Sequence, residues 1–192
     1  KPEDLPLLAD EIKPYLHSKP IISIAAKTSI NTLIELFGER PIIRIMPNLS
    51  VKLRQIVTAI TYHNTTQVQE DFITNLFSIL GTILEIPESQ FSGFIGLSSS
   101  AIALVFKFID AIAKSGLEEN FTYEQALRIV SLTTKSAAHY VLNSKETPPQ
   151  LIARVASKKG TTAKGREVLD DNNFDARINM AMRAISEKDK KG

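Results

Sequence analysis

The spacing of apolar residues along the chain changes near Pro87. Before it, short apolar runs typical of buried strands alternate with segments whose apolar residues recur every three or four positions. After it, only the helical spacing remains. The pattern therefore predicts an α/β domain over residues 1–87 and an all-helical domain over residues 88–192.

In the first domain the predicted order of elements is α–β–α–β–β–α–β. Runs rich in β-branched residues predict strands over residues 20–26, 41–47, 57–63 and 82–87. Helical spacing and capping residues predict helices over residues 3–16, from Ile30 to Phe37 behind Ser29, and behind the capping box of Thr66 and Gln69. Such an alternation indicates a sheet covered by helices.

The longest apolar stretch of the second domain runs from Gly93 to Gly116. Between Ala101 and Ala113 it is apolar on two opposite helical faces, with Lys107 and Asp110 as its charged residues. It is shorter than the roughly 20 apolar residues that a membrane span needs. We therefore interpret it as the central helix of a helical core or of a subunit interface, and we expect no membrane span.

Helix signals continue to the end of the chain. A capping box of Thr122 and Gln125 starts a helix that runs to about Leu142, and Thr147 precedes a short helix. Residues 157–162 read as a loop, with Thr161 or Thr162 starting the next helix. A last helix is predicted from Phe174 to Ser186.

Composition narrows the classes of function. The formal net charge is +2 and the lysines are scattered, whereas a nucleic-acid-binding protein more often has a dense basic stripe with interleaved aromatic residues. The chain has no cysteine and its three histidines lie far apart, so we expect no metal site. No signal peptide or stop-transfer segment is recognisable, which favours the cytoplasm.

Two segments are candidates for ligand contact on their residues alone. The loop from Ser157 to Thr162 combines short polar residues and a glycine with a predicted helix start, where unpaired amides attract anions. The alternative is an ordinary loop with threonine caps. Residues 46–48, Met-Pro-Asn, follow a predicted strand, and ligands of open α/β sheets lie at strand carboxyl ends. The alternative there is a simple Pro-Asn turn.

Five segments occur in an order typical of one known family. They are KPEDLPLL, IISIAAKTSI, IIRIMPN, the helix led by GLSSSA, and the S-x-x-G-T-T loop. With these segments the chain resembles the pyrroline-5-carboxylate reductases over essentially all of its 192 residues. The resemblance implies a Rossmann domain that binds NADPH or NADH and a helical domain that interlocks with a second subunit. It also implies reduction of 1-pyrroline-5-carboxylate to proline, in proline biosynthesis.

The resemblance assigns cofactor-binding residues. Those expected beside the nicotinamide and its ribose are Lys1, Pro2, Ala25, Ala26, Met46, Pro47 and Asn48. In the family, the glycine-rich turn that holds the cofactor pyrophosphate lies upstream of the segment matched by Lys1. We therefore expect the 192 residues to hold the second half of a Rossmann domain, which alone would bind the dinucleotide poorly.

The resemblance also assigns a substrate loop. Its members are Ser157, Lys158, Lys159, Gly160, Thr161 and Thr162. The loop amides are expected to hold the substrate carboxylate. The Thr162 hydroxyl is expected to bond the imine or amine nitrogen, which makes Thr162 the candidate catalytic residue.

The chain departs from the family's pattern at four places. Lys158 and Lys159 replace Pro-Gly in the substrate loop, and Lys27 replaces a glycine. Residues 98–104 lack the two Gly, the Pro and the Tyr of S-G-S-G-P-A-Y, and residues 49–50 are Leu-Ser where Thr-Pro is usual. Two alternatives stay open: a catalytically degenerate homologue that serves as a dimeric scaffold, and a related imine reductase with a different substrate.

Overall fold

The structure of the chain is a computed structural model that describes residues 1–48, 53–157 and 160–191. The chain divides into two compact units. The sheet unit comprises Lys1–Ser100 with Ser186–Gly192, and the helical unit comprises Ala101–Ile185. The predicted combination of an α/β part followed by an all-helical part is confirmed.

The sheet unit contains a four-stranded sheet in the order β1-β2-β3-β4. The strands are β1 (Ile21–Ser23), β2 (Ile42–Pro47), β3 (Ile56–His63) and β4 (Gly81–Glu85). The outer pairs, β1–β2 and β3–β4, are parallel, and the central pair is antiparallel. The predicted order of strands and helices is confirmed, although β1 is shorter than the predicted strand over residues 20–26.

Helices cover both faces of this sheet. They are α1 (Leu5–Leu16), α2 (Ile30–Phe37) and α3 (Gln67–Ser78). On one face Ile42 packs with Leu33 and Phe37 of α2, and on the other Ile43 and Ile45 pack with Ile73 of α3. Alternate residues of β2 therefore serve two separate cores, which is why the strand is apolar on both faces apart from Arg44.

A third apolar cluster lies beyond the last strand. After β4 the chain forms a 3₁₀ turn (Glu88–Gln90), α4 (Phe91–Phe94) and a π-helical segment (Ile95–Ser100). Phe91 and Phe94 pack against Met46 and Ala59 of the sheet. The domain boundary at Pro87 stays a prediction; the compact units divide after Ser100, because α4 packs on the sheet.

The capping box predicted at the start of α3 is confirmed. The amide of Gln69 donates to the Thr66 hydroxyl over 3.4 Å, and the amide of Thr66 donates to Oε1 of Gln69 over 2.9 Å. We expect Thr66→Ala to lower the free energy of unfolding by about 1 kcal/mol, because one amide of the first turn loses its acceptor. Urea denaturation measures this change. Thr66→Ser keeps the hydroxyl and is the control; an equal loss in both variants would contradict the capping role.

The helical unit consists of α5 (Ala101–Ser115), α6 (Tyr123–Asn143), α7 (Pro148–Val155), α8 (Thr161–Asp171) and most of α9 (Phe174–Lys191). Helices α5 and α6 meet at Ala113, Ala126 and Val130. A polar contact joins the same helices, because Asp110 of α5 accepts a hydrogen bond from the Tyr123 hydroxyl of α6. Asp110 also accepts a hydrogen bond from Lys114 within α5. These bonds hold the pKa of Asp110 below its ordinary value.

Much of the apolar surface of α5 is exposed within one copy of the chain. Phe106 is 56% exposed and Phe108 is 45% exposed, and Ala113 is the buried residue of this helix. A helix buried on nearly all sides by its own chain is therefore not observed. By length and composition Glu88–Glu119 is also the one stretch of the described residues that could cross a membrane. A helix this apolar needs a covering surface of some kind.

Candidate active site

One candidate binding site, in the sheet unit, is an edge of the sheet. Strands β1 and β2 run parallel, with Ser23 paired to Arg44, so their carboxyl ends lie at the same edge. Ala25 and Ala26 follow β1, and Pro47 and Asn48 lie at the end of β2. The structure thus brings together the two strand-end segments that the sequence predicts to bind a cofactor.

The turn after β1 is held by two local hydrogen bonds. The amide of Ala25 donates to the Ser23 hydroxyl over 3.3 Å, and the Thr28 hydroxyl donates to the carbonyl of Ala26 over 3.2 Å. Ser23 and Thr28 are buried, whereas Ala26 is exposed. The turn therefore presents a methyl side chain and its backbone, which leaves room for a flat ligand.

Lys27 takes an unusual backbone conformation in this turn. Its φ of 57° lies in the left-handed region, where a side chain costs about 1–2 kcal/mol and glycine costs little. We expect Lys27→Gly to raise the free energy of unfolding by about 0.5–1 kcal/mol, because relief of strain exceeds the added freedom of the unfolded chain. Thermal or urea unfolding measures the gain.

The matched control for this prediction is Lys19→Gly. Lys19 is exposed and has no positive φ, so the same replacement there is expected to lower the free energy of unfolding. Equal changes in the two variants would mean that Lys27 carries no strain.

The end of β2 is less open than its sequence indicates. The Met46 side chain is buried against Ala59, Phe91 and Phe94. Asn48 closes the strand: its amide donates to the carbonyl of Val57 over 3.2 Å, and its Oδ1 accepts from the amide of Val57 over 3.3 Å. A ligand at this edge would meet Pro47 and Asn48, with Met46 supporting them from below. The departure at residues 49–50 lies outside the described residues.

Arg44 and Glu88 were not anticipated as part of this region. Arg44 Nη1 lies 2.8 Å from Oε1 of Glu88, and the Arg44 side chain is 7% exposed. The sequence does carry one signal, since Arg44 is a charge between Ile42 and Met46 on one face of an apolar strand. Its partner could not be identified, because Glu88 follows two strands later.

Lys1 and Pro2 lie at the start of the chain. Pro2 opens the 3₁₀ turn Pro2–Asp4 that leads into α1, and Nζ of the exposed Lys1 lies 3.9 Å from a carboxylate oxygen of Glu3. Their assignment as cofactor-binding residues stays a prediction.

A separate candidate binding segment, the loop before α8, lies in the helical unit. Thr161 is the first residue of α8 and Gly160 is its N-cap, so the predicted helix start is confirmed at Thr161. The amide of Gly160 donates to the carbonyl of Ser157 over 2.9 Å. A Cβ at Gly160 would lie 2.8 Å from the Ser157 hydroxyl, which would then have to rotate away. Lys158 and Lys159 lie outside the described residues.

The polar groups of this loop face solvent within one copy of the chain. Ser157, Thr161 and Thr162 are all exposed, directly before or within the first turn of α8. The first amides of a helix point outward and carry partial positive charge. The loop is thus suited to an anionic group such as a carboxylate. Its assignment to a substrate stays a prediction.

Comparison with known proteins identifies the family of the chain. The family model for pyrroline-5-carboxylate reductase dimerisation matches residues 88–192. The chain is 35% identical over 193 residues to pyrroline-5-carboxylate reductase of Aquifex aeolicus, covering 100% of this chain and 72% of that protein. It is 34% identical over 172 residues to the Thermus thermophilus pyrroline-5-carboxylate reductase, covering 88% of this chain and 64% of that protein.

Solved structures agree in fold. The crystal structure of 1-pyrroline-5-carboxylate reductase from Streptococcus pyogenes matches with a TM-score of 0.88 at 30% identity, over 100% of this chain and 73% of that one. The Plasmodium falciparum pyrroline carboxylate reductase with NADP bound matches with a TM-score of 0.90 at 28% identity, over 99% of this chain and 77% of that one. The fold is therefore that of a Rossmann-type domain joined to a helical dimerisation domain. The chain belongs to the pyrroline-5-carboxylate reductase family.

Proposed function

We propose that the protein is an NAD(P)H-dependent reductase that converts 1-pyrroline-5-carboxylate to proline, as a step of proline biosynthesis in the cytoplasm. The observation that carries the proposal is the match to the family over both units of the chain. The common edge formed by the ends of β1 and β2 adds support from this chain's own residues.

The strand-end edge fits the nicotinamide end of a dinucleotide. Ala25 and Ala26 carry only methyl groups, and the Met46 side chain turns into the core, so nothing bulky from these residues obstructs the edge. Pro47 and Asn48 would contact the ring or its ribose. When bound, the cofactor supplies a hydride. The residues of the edge contribute by holding the ring in one orientation.

The loop before α8 would hold the substrate. The amides of Thr161 and Thr162, in the first turn of α8, would bond the substrate carboxylate, helped by the positive end of α8 and by the charges of Lys158 and Lys159. The Thr162 hydroxyl would bond the ring nitrogen of the substrate. Reduction of a C=N bond leaves an amine, and a hydroxyl can accept from or donate to that nitrogen.

A second copy of the chain is the proposed partner. The helical unit leaves apolar residues of α5 exposed, and a cavity of about 870 Å³ opens between α6 and α7. Its apolar lining includes Leu132, Ala137, Val141, Leu151, Ile152 and Val155. Obligate subunit interfaces are apolar and bury about 2,000 Å² or more. The family model that covers these helices describes a dimerisation domain.

The test is oxidation of NADPH and of NADH by the full-length protein with 1-pyrroline-5-carboxylate, followed by identification of proline in the product. We expect consumption of the cofactor in step with formation of proline. A folded dimer that consumes neither cofactor would favour the catalytically degenerate scaffold. Lys27 and the loop with Lys158 and Lys159 are the departures from the family's pattern that would then explain the missing activity. Consumption only with other cyclic imines would favour the related imine reductase.

A further inference from the structure

An ion pair between the buried Arg44 and the partly buried Glu88 lies in the sheet unit, beside the strand-end edge. Arg44 lies in the middle of β2, on the face that also carries Ile42 and Met46. Ile42 and Met46 belong to two different apolar clusters, so the Arg44 guanidinium lies between the apolar side chains of these clusters. A buried charge is costly unless it is paired and hydrogen-bonded. The position therefore requires an explanation.

Glu88 supplies the pairing and does more than neutralise Arg44. Its Oε1 accepts from Arg44 Nη1 over 2.8 Å and from the backbone amide of Ile30 over 2.7 Å. Ile30 is the first residue of α2. One carboxylate oxygen thus connects β2, the start of α2 and the segment that follows β4.

The guanidinium has few other restraints. Its central carbon lies 4.5 Å from the centre of the Phe91 ring, and its Nε is buried without a hydrogen-bond partner in the described part of the chain. In the described part of the chain, Glu88 supplies the hydrogen bond of the guanidinium and the Phe91 ring supplies its other contact. The orientation of Arg44 therefore depends on the carboxylate.

The Arg44–Glu88 pair is linked through the backbone to both predicted cofactor segments, residues 25–26 and 46–48. Arg44 pairs with Ser23 in the parallel register of β1 and β2. Ala25 lies two residues after Ser23, and Met46 lies two residues after Arg44. The turn that contains Lys27 ends at the start of α2, where Glu88 binds the amide of Ile30. The Arg44–Glu88 pair therefore fixes both ends of the turn after β1 and the neighbouring strand β2.

The carboxylate also occupies the anion position at the start of α2. Helix N-termini attract negative groups, and in many dinucleotide-binding folds such a position holds phosphate. Here Glu88 provides the negative charge from within the protein. The start of α2 is consequently a support for the edge and not a position for cofactor phosphate.

We propose that Arg44 and Glu88 form a positioning pair that sets the spacing of the Ala25–Ala26 turn and the Pro47–Asn48 strand end, and so determines how tightly the nicotinamide end of the cofactor binds. The inference rests on the proposed function, because it requires a dinucleotide at this edge. Neither residue is assigned contact with the cofactor. Their effect is transmitted through the backbone of β2 and the start of α2.

The test compares Glu88→Ala and Glu88→Gln in the full-length protein. NADPH binding is measured by fluorescence titration, alongside KM for NADPH, kcat and the melting temperature. We expect Glu88→Ala to raise both Kd and KM for NADPH about tenfold, since a charge-assisted hydrogen bond that fixes the edge is lost. Glu88→Gln keeps an oxygen acceptor for Ile30 and Arg44, so it is expected to restore binding in part, and it serves if Glu88→Ala does not fold.

Glu39→Gln is the matched control. Oε1 of Glu39 lies 2.8 Å from Nε2 of His63, in an exposed pair at the other end of β3. We expect no change in NADPH affinity there. A lower melting temperature for both Glu88 variants with an unchanged Kd would overturn the proposal, since the pair would then be only structural.

Failure of the proposed function gives a different result. A wild-type protein that binds NADPH but does not reduce 1-pyrroline-5-carboxylate would overturn the reductase assignment, while a tenfold weaker Kd in Glu88→Ala would still support the positioning pair. A wild-type protein that binds neither NADPH nor NADH would overturn both.

Discussion

Replacement of Phe108 by aspartate is expected to convert the proposed dimer into monomers. Phe108 lies on α5 and is 45% exposed in one copy of the chain. An apolar interface would lose the burial of a phenyl ring and gain an unpaired charge, and twofold symmetry applies both effects twice. We expect the dissociation constant of the dimer to rise by at least about 1,000-fold.

Light scattering at micromolar concentration measures this change. Phe72→Asp is the matched control, because Phe72 of α3 is 65% exposed but belongs to the sheet unit. That variant is expected to stay dimeric. A Phe108→Asp protein that keeps the wild-type mass would show that α5 lies outside the interface. A wild-type protein that is a compact monomer would contradict the proposed assembly altogether.

Thr162→Val is expected to lower kcat about 10- to 100-fold with 1-pyrroline-5-carboxylate as the substrate. The replacement keeps the shape of the side chain and removes the hydroxyl that would bond the substrate nitrogen. Thr162 is exposed, and the N-cap of α8 is Gly160, so the hydroxyl is not needed to start the helix. We therefore expect the free energy of unfolding to change by no more than about 0.5 kcal/mol.

Thr162→Ser restores the hydroxyl and is expected to retain most of the activity. Steady-state kinetics and urea denaturation are measured on the same preparations. Proportionate losses of turnover and stability in Thr162→Val would make Thr162 a structural residue of the first turn. Unchanged turnover would remove it from the reaction.

The features that the sequence predicted well are local ones. The capping boxes at Thr66 and Thr122 depend on residues three positions apart, and both are present. The bounds of α2 follow from Ser29 and from Gly38, which has a φ of 82°. Near the next strand the prediction was wrong by a few residues. The strand predicted over residues 82–87 is β4 (Gly81–Glu85) in the structure, and a Cβ at its first residue, Gly81, would collide with the carbonyl of Ile56.

Long-range features could not be read from local patterns. The pairing of Arg44 with Glu88 depends on how β2, α2 and the segment after β4 come together, and no sequence spacing encodes it. The π-helical segment Ile95–Ser100 was likewise missed, because its residues resemble any polar start of a helix. Conversely, the apolar faces of α5 were predicted to be surfaces that need covering, but the sequence could not decide between a core and an interface.

In the candidate site, too, the local features were predicted and the long-range ones were not. That Ala25–Ala26 and Met46–Asn48 belong near each other follows from consecutive strands, once the parallel pairing of β1 and β2 is known. Which of these residues faces a ligand did not follow, since the Met46 side chain is buried under the edge. Burial depends on Phe91 and Phe94, which come from a distant segment.

The reductase assignment is tested by the rate at which the full-length protein oxidises NADPH in the presence of 1-pyrroline-5-carboxylate. We expect turnover at about 1 per second or faster, the range typical of enzymes, with one proline formed for each NADPH consumed. A folded dimer that binds NADPH but shows no oxidation above the rate without protein would contradict the assignment. That result would mean that the protein, with its altered turn at Lys27 and its altered loop at Lys158 and Lys159, has kept the family's fold and lost its reaction.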